Sequence, residues 1–365
     1  MKRNICFFVI DLFDRGGLQR VTVDIANKLS LYCNVHVVTF SNQQNAELPF
    51  KFSKEVQLTY IQPPNRIKRV YRLVNILNIM FFLRNYNKKH NIHSFISVGM
   101  ASVIWSFISI IANKTKFICW DHTSYLRKES WAIKGRFLSK LFADNIIILT
   151  NNDAKLWNNK KVSVIYNPSH FGFEQSDEFL TKIPKKNQII SLGRFVEVKG
   201  LDRLLDIWKI INYKKNDSYT LRIIGEGPLK PHLEHRILSE NIKNITIEPF
   251  VKNPEKLYAE SKIQVLTSLY EGLSMVLIEG LIFKVPAISF KVPSGPEEVI
   301  EDSITGFLIN NNDIEAFADK LILLMSDEKL QHQLSFNCSE SRLRFSNDHI
   351  INQWIELLEV YKNPK

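Results

Sequence analysis

Four cysteines are all that the 365 residues contain, and Cys6, Cys33, Cys119 and Cys338 show no paired spacing and no Cys-x-x-Cys. Neither a disulfide framework nor a cysteine zinc site is implied, and the pattern reads as free thiols of a reducing cytoplasm. No run approaches the roughly 18 uninterrupted apolar residues of a membrane-spanning helix. The one candidate leader, Ile5 to Ile10 after Met1-Lys2-Arg3-Asn4, is cut short by Asp11 and Asp14, so it reads as a first buried strand. No Asp-x-Asp occurs anywhere, and with it the usual carboxylate clamp for a divalent metal is missing. Internal repeats and low-complexity tracts are absent as well.

Acidic residues are scarce in one half only. Residues 1–170 hold 24 Lys and Arg against 9 Asp and Glu, about +15, whereas the remainder holds 24 against 28, about −4. A basic surface of this kind attracts phosphates in nucleic acid, lipid headgroups or a diphosphate substrate without choosing among them. With 45% hydrophobic and 23% charged residues, the chain has the composition of a soluble globular protein, and its length suits two domains.

Short runs of Ile, Val and Phe alternate with helix-like segments: Ile5 to Ile10, Val35 to Phe40, Val56 to Ile61, Phe95 to Val98, Phe117 to Trp120, Ile146 to Leu149 and Val162 to Ile165. A polar stretch follows, and a second series opens with Gln188 to Leu192, Thr220 to Ile224, Ile245 to Ile247, Ile263 to Thr267 and Ala287 to Ser289. The expected class is therefore α/β, with parallel sheets wrapped by helices. The divisions expected are a first domain over 1–170, a linker over 171–186, a second domain over 187–348 and a last helix over 349–365 that crosses back to the first.

The most informative segment is Glu271-Gly272-Leu273-Ser274-Met275-Val276-Leu277-Ile278-Glu279-Gly280, directly after the strand Ile263 to Thr267. A helix starting near Ser274 leaves the backbone N–H groups of Leu273, Ser274 and Met275 without intrahelical partners, which suits a diphosphate. Glu279 then lies about 7 to 8 Å along the helix, placed to accept hydrogen bonds from a ribose diol, while Glu271 stays in the loop. In isolation the same two glutamates are equally a loop acid and a solvent-facing helix acid.

Glu-x7-Glu after a strand resembles the donor-site signature of glycosyltransferase family 4, the large retaining family of GT-B architecture, and the resemblance runs over nearly the whole chain. Ser191-Leu192-Gly193-Arg194 with Lys199-Gly200 is similar to the family's Gly-Arg and Lys-Gly pair, whose cations grip the donor diphosphate. Ile223-Ile224-Gly225-Glu226-Gly227-Pro228-Leu229 resembles the family's next turn, a structural one, with Pro228 opening a helix. Pro249-Phe250-Val251-Lys252-Asn253 resembles the loop that meets the nucleotide base, which singles out Val251. Ser294-Gly295-Pro296-Glu297-Glu298 and Thr305-Gly306-Phe307-Leu308 match later landmarks. The chain departs at Phe283-Lys284, where relatives carry a small residue and glycine. In the first half, Asp14-Arg15-Gly16-Gly17-Leu18-Gln19-Arg20-Val21 stands where the family has Gly-Gly-x-x-Arg-Val, so Gly16 and Gly17 let substrate approach the backbone. Cys119-Trp120-Asp121-His122-Thr123 sets His122 at a strand's carboxyl end, where relatives contact the transferred sugar; a histidine there is otherwise structural. Tyr166-Asn167-Pro168 resembles the interdomain hinge.

The resemblance thus implies two Rossmann-like domains facing a central cleft and transfer of a hexose or N-acetylhexosamine from a nucleoside diphosphate sugar, a UDP-sugar by preference. The acceptor is a saccharide hydroxyl, lipid-linked, in O-antigen, capsule or related glycan synthesis. Retention by front-face attack is implied, with His122, Glu271, Arg194 and Lys199 as catalytic residues, no cofactor and no metal. The basic segments Arg66 to Lys89 and Arg127 to Lys140 read either as amphipathic helices resting on anionic lipid at the inner face of the cytoplasmic membrane or as solvated basic faces over the core. Two rivals use the same sequence: a GT-B sugar-nucleotide epimerase, which needs no acceptor, and a nucleic-acid-binding protein, which leaves the glycine, cation and glutamate motifs unexplained. A phosphorylase-like enzyme lacks a placeable pyridoxal lysine. Nucleic acid is not an expected partner.

Overall fold

The computed structural model describes residues 2–14, 16–40, 47–62, 69–110, 115–169, 171–214 and 218–361. Arg15 and the start of the basic segment at Arg66 lie outside the described residues. The chain divides into two compact units, Met1–Asn167 with Asp348–Lys365, and Pro168–Asn347.

The first unit is built on a seven-stranded parallel sheet: β1 Asn4–Val9, β2 Asn34–Phe40, β3 Gln57–Ile61, β4 Ser94–Val98, β5 Lys116–Trp120, β6 Asn145–Ile148 and β7 Val162–Val164, in the order β3-β2-β1-β4-β5-β6-β7. The second has six parallel strands: β8 Lys186–Leu192, β9 Thr220–Ile224, β10 Ile245–Glu248, β11 Ser261–Leu266, β12 Ala287–Lys291 and β13 Gly306–Asn310, in the order β10-β9-β8-β11-β12-β13. Parallel strands need crossovers that return the chain over the sheet, so helices cover both faces and the central strands bury apolar side chains on both. Phe7 and Phe8 in β1, and Ile189 and Ile190 in β8, are fully buried on opposite faces of their sheets.

Both sheets are doubly wound Rossmann-like sheets, and each reverses its strand order beside its first strand, at β1/β4 and at β8/β11. The loops leaving those strands splay to opposite faces and open a crevice where such folds hold ligands. Gly16 and Gly17 follow β1; Arg194 and Lys199 follow β8; Glu271 to Met275 follow β11.

Three sequence expectations change. Segment 171–186, expected as a linker, carries the helix Phe173–Lys182 and lies in the second unit. Ser176 is the helix's one buried residue, so it has almost no apolar stripe to read. Of Thr305-Gly306-Phe307-Leu308, the last three residues open an edge strand, β13. Pro228 stays in the turn, and Pro231 stands at the start of helix Lys230–Ser239, where its missing N–H costs nothing.

The last helix, Asn347–Leu357, buries Trp354 against the first sheet, with ring centroids 6.0 Å from Phe7 and 4.8 Å from Trp120. Arg3 and Lys116 donate to its terminal carbonyls at Leu358 and Leu357. Among the described residues no helix is long and apolar enough to cross a membrane.

Candidate functional site

In the second unit, the chain after β8 and the chain after β11 are zipped together by hydrogen bonds to backbone carbonyls. Leu269 N donates to the Val198 carbonyl at 2.8 Å, Thr267 Oγ1 to the Gly200 carbonyl at 3.0 Å, and Arg203 to the carbonyls of Thr267 and Ser268 at 2.6 Å each. Gly200 is in the left-handed region at φ 58°, and a Cβ there would stand 2.1 Å from the Thr267 carbonyl oxygen, so no larger residue fits.

This seam brings two expected residues into contact. Lys199 Nζ donates to Glu271 Oε1 at 2.6 Å, and Ser268 Oγ donates to the same oxygen at 2.5 Å. Glu271 is 9% exposed, and the loop behind it is closed by Gly295. That residue has φ 59°, and a Cβ on it would fall 2.0 Å from the Gly272 carbonyl. Removing one member of this partly enclosed pair would leave the other charge without its partner.

Helix Met275–Ile282 begins at the end of this loop with Ser274 as its N-cap, backbone extended at ψ 102°. Ser274 Oγ makes no capping bond; it is buried with no hydrogen-bond partner among the described residues. Leu273 and Ser274 are both buried. The free N–H groups of the first turn and an uncommitted hydroxyl thus stand beside the Lys199–Glu271 pair. Arg194 is exposed just after β8, and its guanidinium makes no hydrogen bond or ion pair among the described residues. Val251 is half-buried after β10, two strands out from β8.

Glu279 faces inward, 9% exposed, and its Oε2 accepts from the Tyr258 hydroxyl at 2.7 Å. The solvent-facing alternative for Glu279 is therefore overturned. Tyr258 is itself stacked on Phe283, ring centroids 5.6 Å apart and planes at 16°. The departure at Phe283-Lys284 has a physical account here. Phe283 is fully buried as the platform for Tyr258, and Lys284 takes the left-handed turn at φ 55°, where glycine is the usual occupant. Its ammonium pairs with Asp177 at 2.9 Å. Sequence reasoning missed Tyr258 and Ser268; Tyr258 sits on another helix, Glu255–Glu260, and only the tertiary fold brings it to Glu279.

In the first unit, Gly16 is the N-cap of helix Gly17–Leu29, and nothing lies within 4 Å of the space a Cβ would take on Gly17. His122 follows β5, its ring 4.2 Å from that of Trp120. The residue as a whole is half-buried, but Nε2 is enclosed and without a hydrogen-bond partner among the described residues. Burial pushes the imidazole down to about 3, so it is neutral at ordinary pH. The loop on either side of it is rigidly held. The carboxylate of Asp121 accepts from Thr123 N at 2.9 Å and Arg136 Nε at 3.1 Å, while Arg136 also donates to the carbonyls of Ser124, Tyr125 and Arg127 at 2.7 to 2.8 Å. Sequence reasoning missed Asp121 and Arg136.

Among the described residues, no group of three or more His, Cys, Asp or Glu is arranged to hold a metal ion.

Residues 173–340 match the family described as glycosyl transferases group 1. Over 98% of both chains the protein is 29% identical to a Campylobacter jejuni enzyme named GalNAc-alpha-(1->4)-GalNAc-alpha-(1->3)-diNAcBac-PP-undecaprenol alpha-1,4-N-acetyl-D-galactosaminyltransferase. Among solved structures, a glycosyltransferase from Rickettsia africae superposes with a TM-score of 0.78 at 20% identity, each chain covered in full. HepE of Anabaena in complex with UDP and glucose gives 0.77 at 15% identity, with 97% of this chain and 99% of that one covered. The architecture shared with these structures is GT-B.

Proposed function

We propose that the chain is a glycosyltransferase, as the match of residues 173–340 to the glycosyl transferases group 1 family supports, and that it moves an N-acetylhexosamine or hexose from a UDP-sugar to a hydroxyl of a lipid-linked saccharide with retention of configuration. The observation that carries this reading is the Lys199–Glu271 pair beside a helix start whose Ser274 hydroxyl is buried and uncommitted. That is a positive charge, a row of free N–H groups and a spare hydroxyl in one enclosed loop, the chemistry a departing diphosphate requires. The lipid-linked acceptor and the N-acetylated sugar are supported by the name of the Campylobacter jejuni relative, and UDP by the ligand of HepE.

In the proposed reaction the bond from the anomeric carbon to the donor phosphate oxygen breaks. The acceptor oxygen bonds to the same face of that carbon, and the acceptor's proton passes to the leaving phosphate oxygen. An ammonium carries three donors, so Lys199 can keep Glu271 while giving a hydrogen bond to the diphosphate. Arg194 and the N–H groups of Leu273, Ser274 and Met275 take up the rest of the developing charge, which makes a metal unnecessary. Gly272 lets the loop close on the sugar phosphate, Glu279 takes the ribose hydroxyls, and Val251 meets the base. In the first unit, Gly16 and Gly17 serve the donor, with open space at Gly17, and His122 offers a neutral imidazole to the sugar.

The test assays purified protein with UDP-GalNAc, UDP-GlcNAc and UDP-galactose, each with a polyprenyl-diphosphate saccharide and with EDTA. Turnover that persists in EDTA, and a loss of at least about a hundredfold in Lys199→Ala, are expected. Donor conversion without any acceptor would favour the epimerase instead.

A further inference from the structure

The loop that leaves β1 holds one aromatic ring partly in solvent, and a second ring meets it from β3. Leu12 is buried and anchors the loop, while Phe13 after it is only half-buried. Asp11 fixes the turn between them, its carboxylate accepting from Phe13 N at 2.7 Å. Gln19, buried in the helix that follows, donates from Nε2 to the Asp11 carbonyl at 3.1 Å. Gly16 leaves Gln19 its place, since a Cβ there would stand 2.5 Å from Oε1. The backbone under Phe13 is therefore ordered before anything binds, which lowers the entropy cost of binding.

Tyr60 comes from β3, the edge strand of the first sheet. Successive side chains of a strand face opposite ways. The Thr59 hydroxyl meets that of Tyr86 on one face, so Tyr60 stands on the other, 47% exposed. Its ring lies 6.3 Å from that of Phe13 with the planes at 31°, so the two ring faces point in nearly the same direction.

The surroundings of this pair select a ligand. The loop lies at the carboxyl edge of a doubly wound sheet, where such folds hold ligands, and Phe13 stands three residues before Gly16. Residues 1–170 carry nine acids; two of them, Asp11 and Asp14, are in this loop, and both are exposed. A carboxylate accepts hydrogen bonds from hydroxyls and repels phosphate. The faces of the rings are negative and attract polarised C–H groups, such as those on the face of a pyranose. Ring faces beside carboxylates thus suit a neutral sugar, whereas a nucleic-acid backbone or an anionic headgroup requires cations in their place.

We propose that Phe13 and Tyr60, with Asp14 beside them, form a platform on which a neutral pyranose of the acceptor saccharide stacks, and that the two rings set acceptor preference. The identity of that saccharide as acceptor rests on the transfer reaction proposed above; the stacking itself needs no donor.

Saturation-transfer NMR with the methyl α-glycosides of GalNAc, GlcNAc and galactose, in the absence of any UDP-sugar, reads the stacking directly. The wild-type chain should saturate the ring C–H protons of at least one glycoside. The combined variant Phe13→Ser and Tyr60→Ser should abolish that signal with its melting temperature and UDP affinity unchanged. In the transfer assay with a polyprenyl-diphosphate saccharide, the same variant should raise the acceptor KM at least about tenfold at unchanged donor KM, and Tyr60→Phe, which keeps the ring, should match wild type. If the double variant melts early, Tyr60→Ser alone, at an exposed edge position, should still raise the acceptor KM about threefold. Absence of saturation from all three glycosides with the wild-type chain overturns the proposal, and so does a serine variant that binds and transfers as wild type does. Saturation that the double variant abolishes, in a protein that transfers from no UDP-sugar, would support the platform and refute the transfer reaction instead.

Discussion

At the scale of single residues, the Lys199–Glu271 contact makes a prediction that separates pairing from catalysis. Glu271→Gln keeps the shape of the side chain and removes the charge that holds Lys199 at 2.6 Å. Lys199 then faces the diphosphate with no internal competitor, so UDP should bind with equal or higher affinity by calorimetry while transfer falls by at least about a hundredfold. Tyr258→Phe gives a complementary split. The stack on Phe283 survives, the 2.7 Å bond to Glu279 is lost, and a hydrogen bond to a charged group is worth about 1.5–3 kcal/mol. Donor KM should rise about tenfold or more with kcat little changed. His122 supplies a pH prediction. The unfolded chain takes up a proton on this residue near 6.5 and the folded chain only near 3, so between those values the unfolded state holds the extra proton and stability falls as pH falls. His36, pushed down to about 4 by burial and by His90, acts in the same direction. The melting temperature should decline from pH 6.5 downward, and His122→Asn should flatten part of that decline; an identical slope in the variant would contradict the burial of Nε2.

At the scale of elements, the strands were legible because a parallel sheet covered on both faces holds short runs of buried Ile, Val and Phe, as Phe7-Phe8 in β1, Val37-Val38 in β2, Ile189-Ile190 in β8 and Ile223-Ile224 in β9 show. β13 was not, because Gly306-Phe307-Leu308-Ile309-Asn310 is an edge strand with a single neighbour, β12, and opens on a glycine. The helix Phe173–Lys182 escaped for the opposite reason: a helix is read from its buried stripe, and this one buries Ser176 alone. Of the candidate site, the glycines and the cation spacing were visible as local motifs, whereas the partners Ser268, Tyr258 and Arg136 became visible only through tertiary contacts. The seam between the loops after β8 and β11 has its own test. Gly200→Ala places a methyl 2.1 Å from the Thr267 carbonyl at φ 58°. The left-handed conformation alone costs about 1–2 kcal/mol, so a drop in melting temperature of several degrees and a loss of UDP binding are expected together.

At the scale of the whole molecule, the chain leaves the first unit after Asn167, builds the second without interruption, and returns at Asp348. Residues 168–347 produced alone should therefore fold cooperatively and bind UDP, as judged by calorimetry and a thermal shift. Residues 1–167 produced alone should melt earlier or remain protease-sensitive. The reason is Trp354, fully buried and set against Phe7 and Trp120, and losing a buried tryptophan costs about 3–5 kcal/mol. A ribosome delivers the chain from the N-terminus, and domains fold as units in that order where they can. Here the first seven strands are synthesised long before the side chain that closes their core. The earlier-made unit must wait, with an open aromatic pocket, until Trp354 has been added, and any product truncated before that residue is left with the pocket exposed to chaperones and proteases.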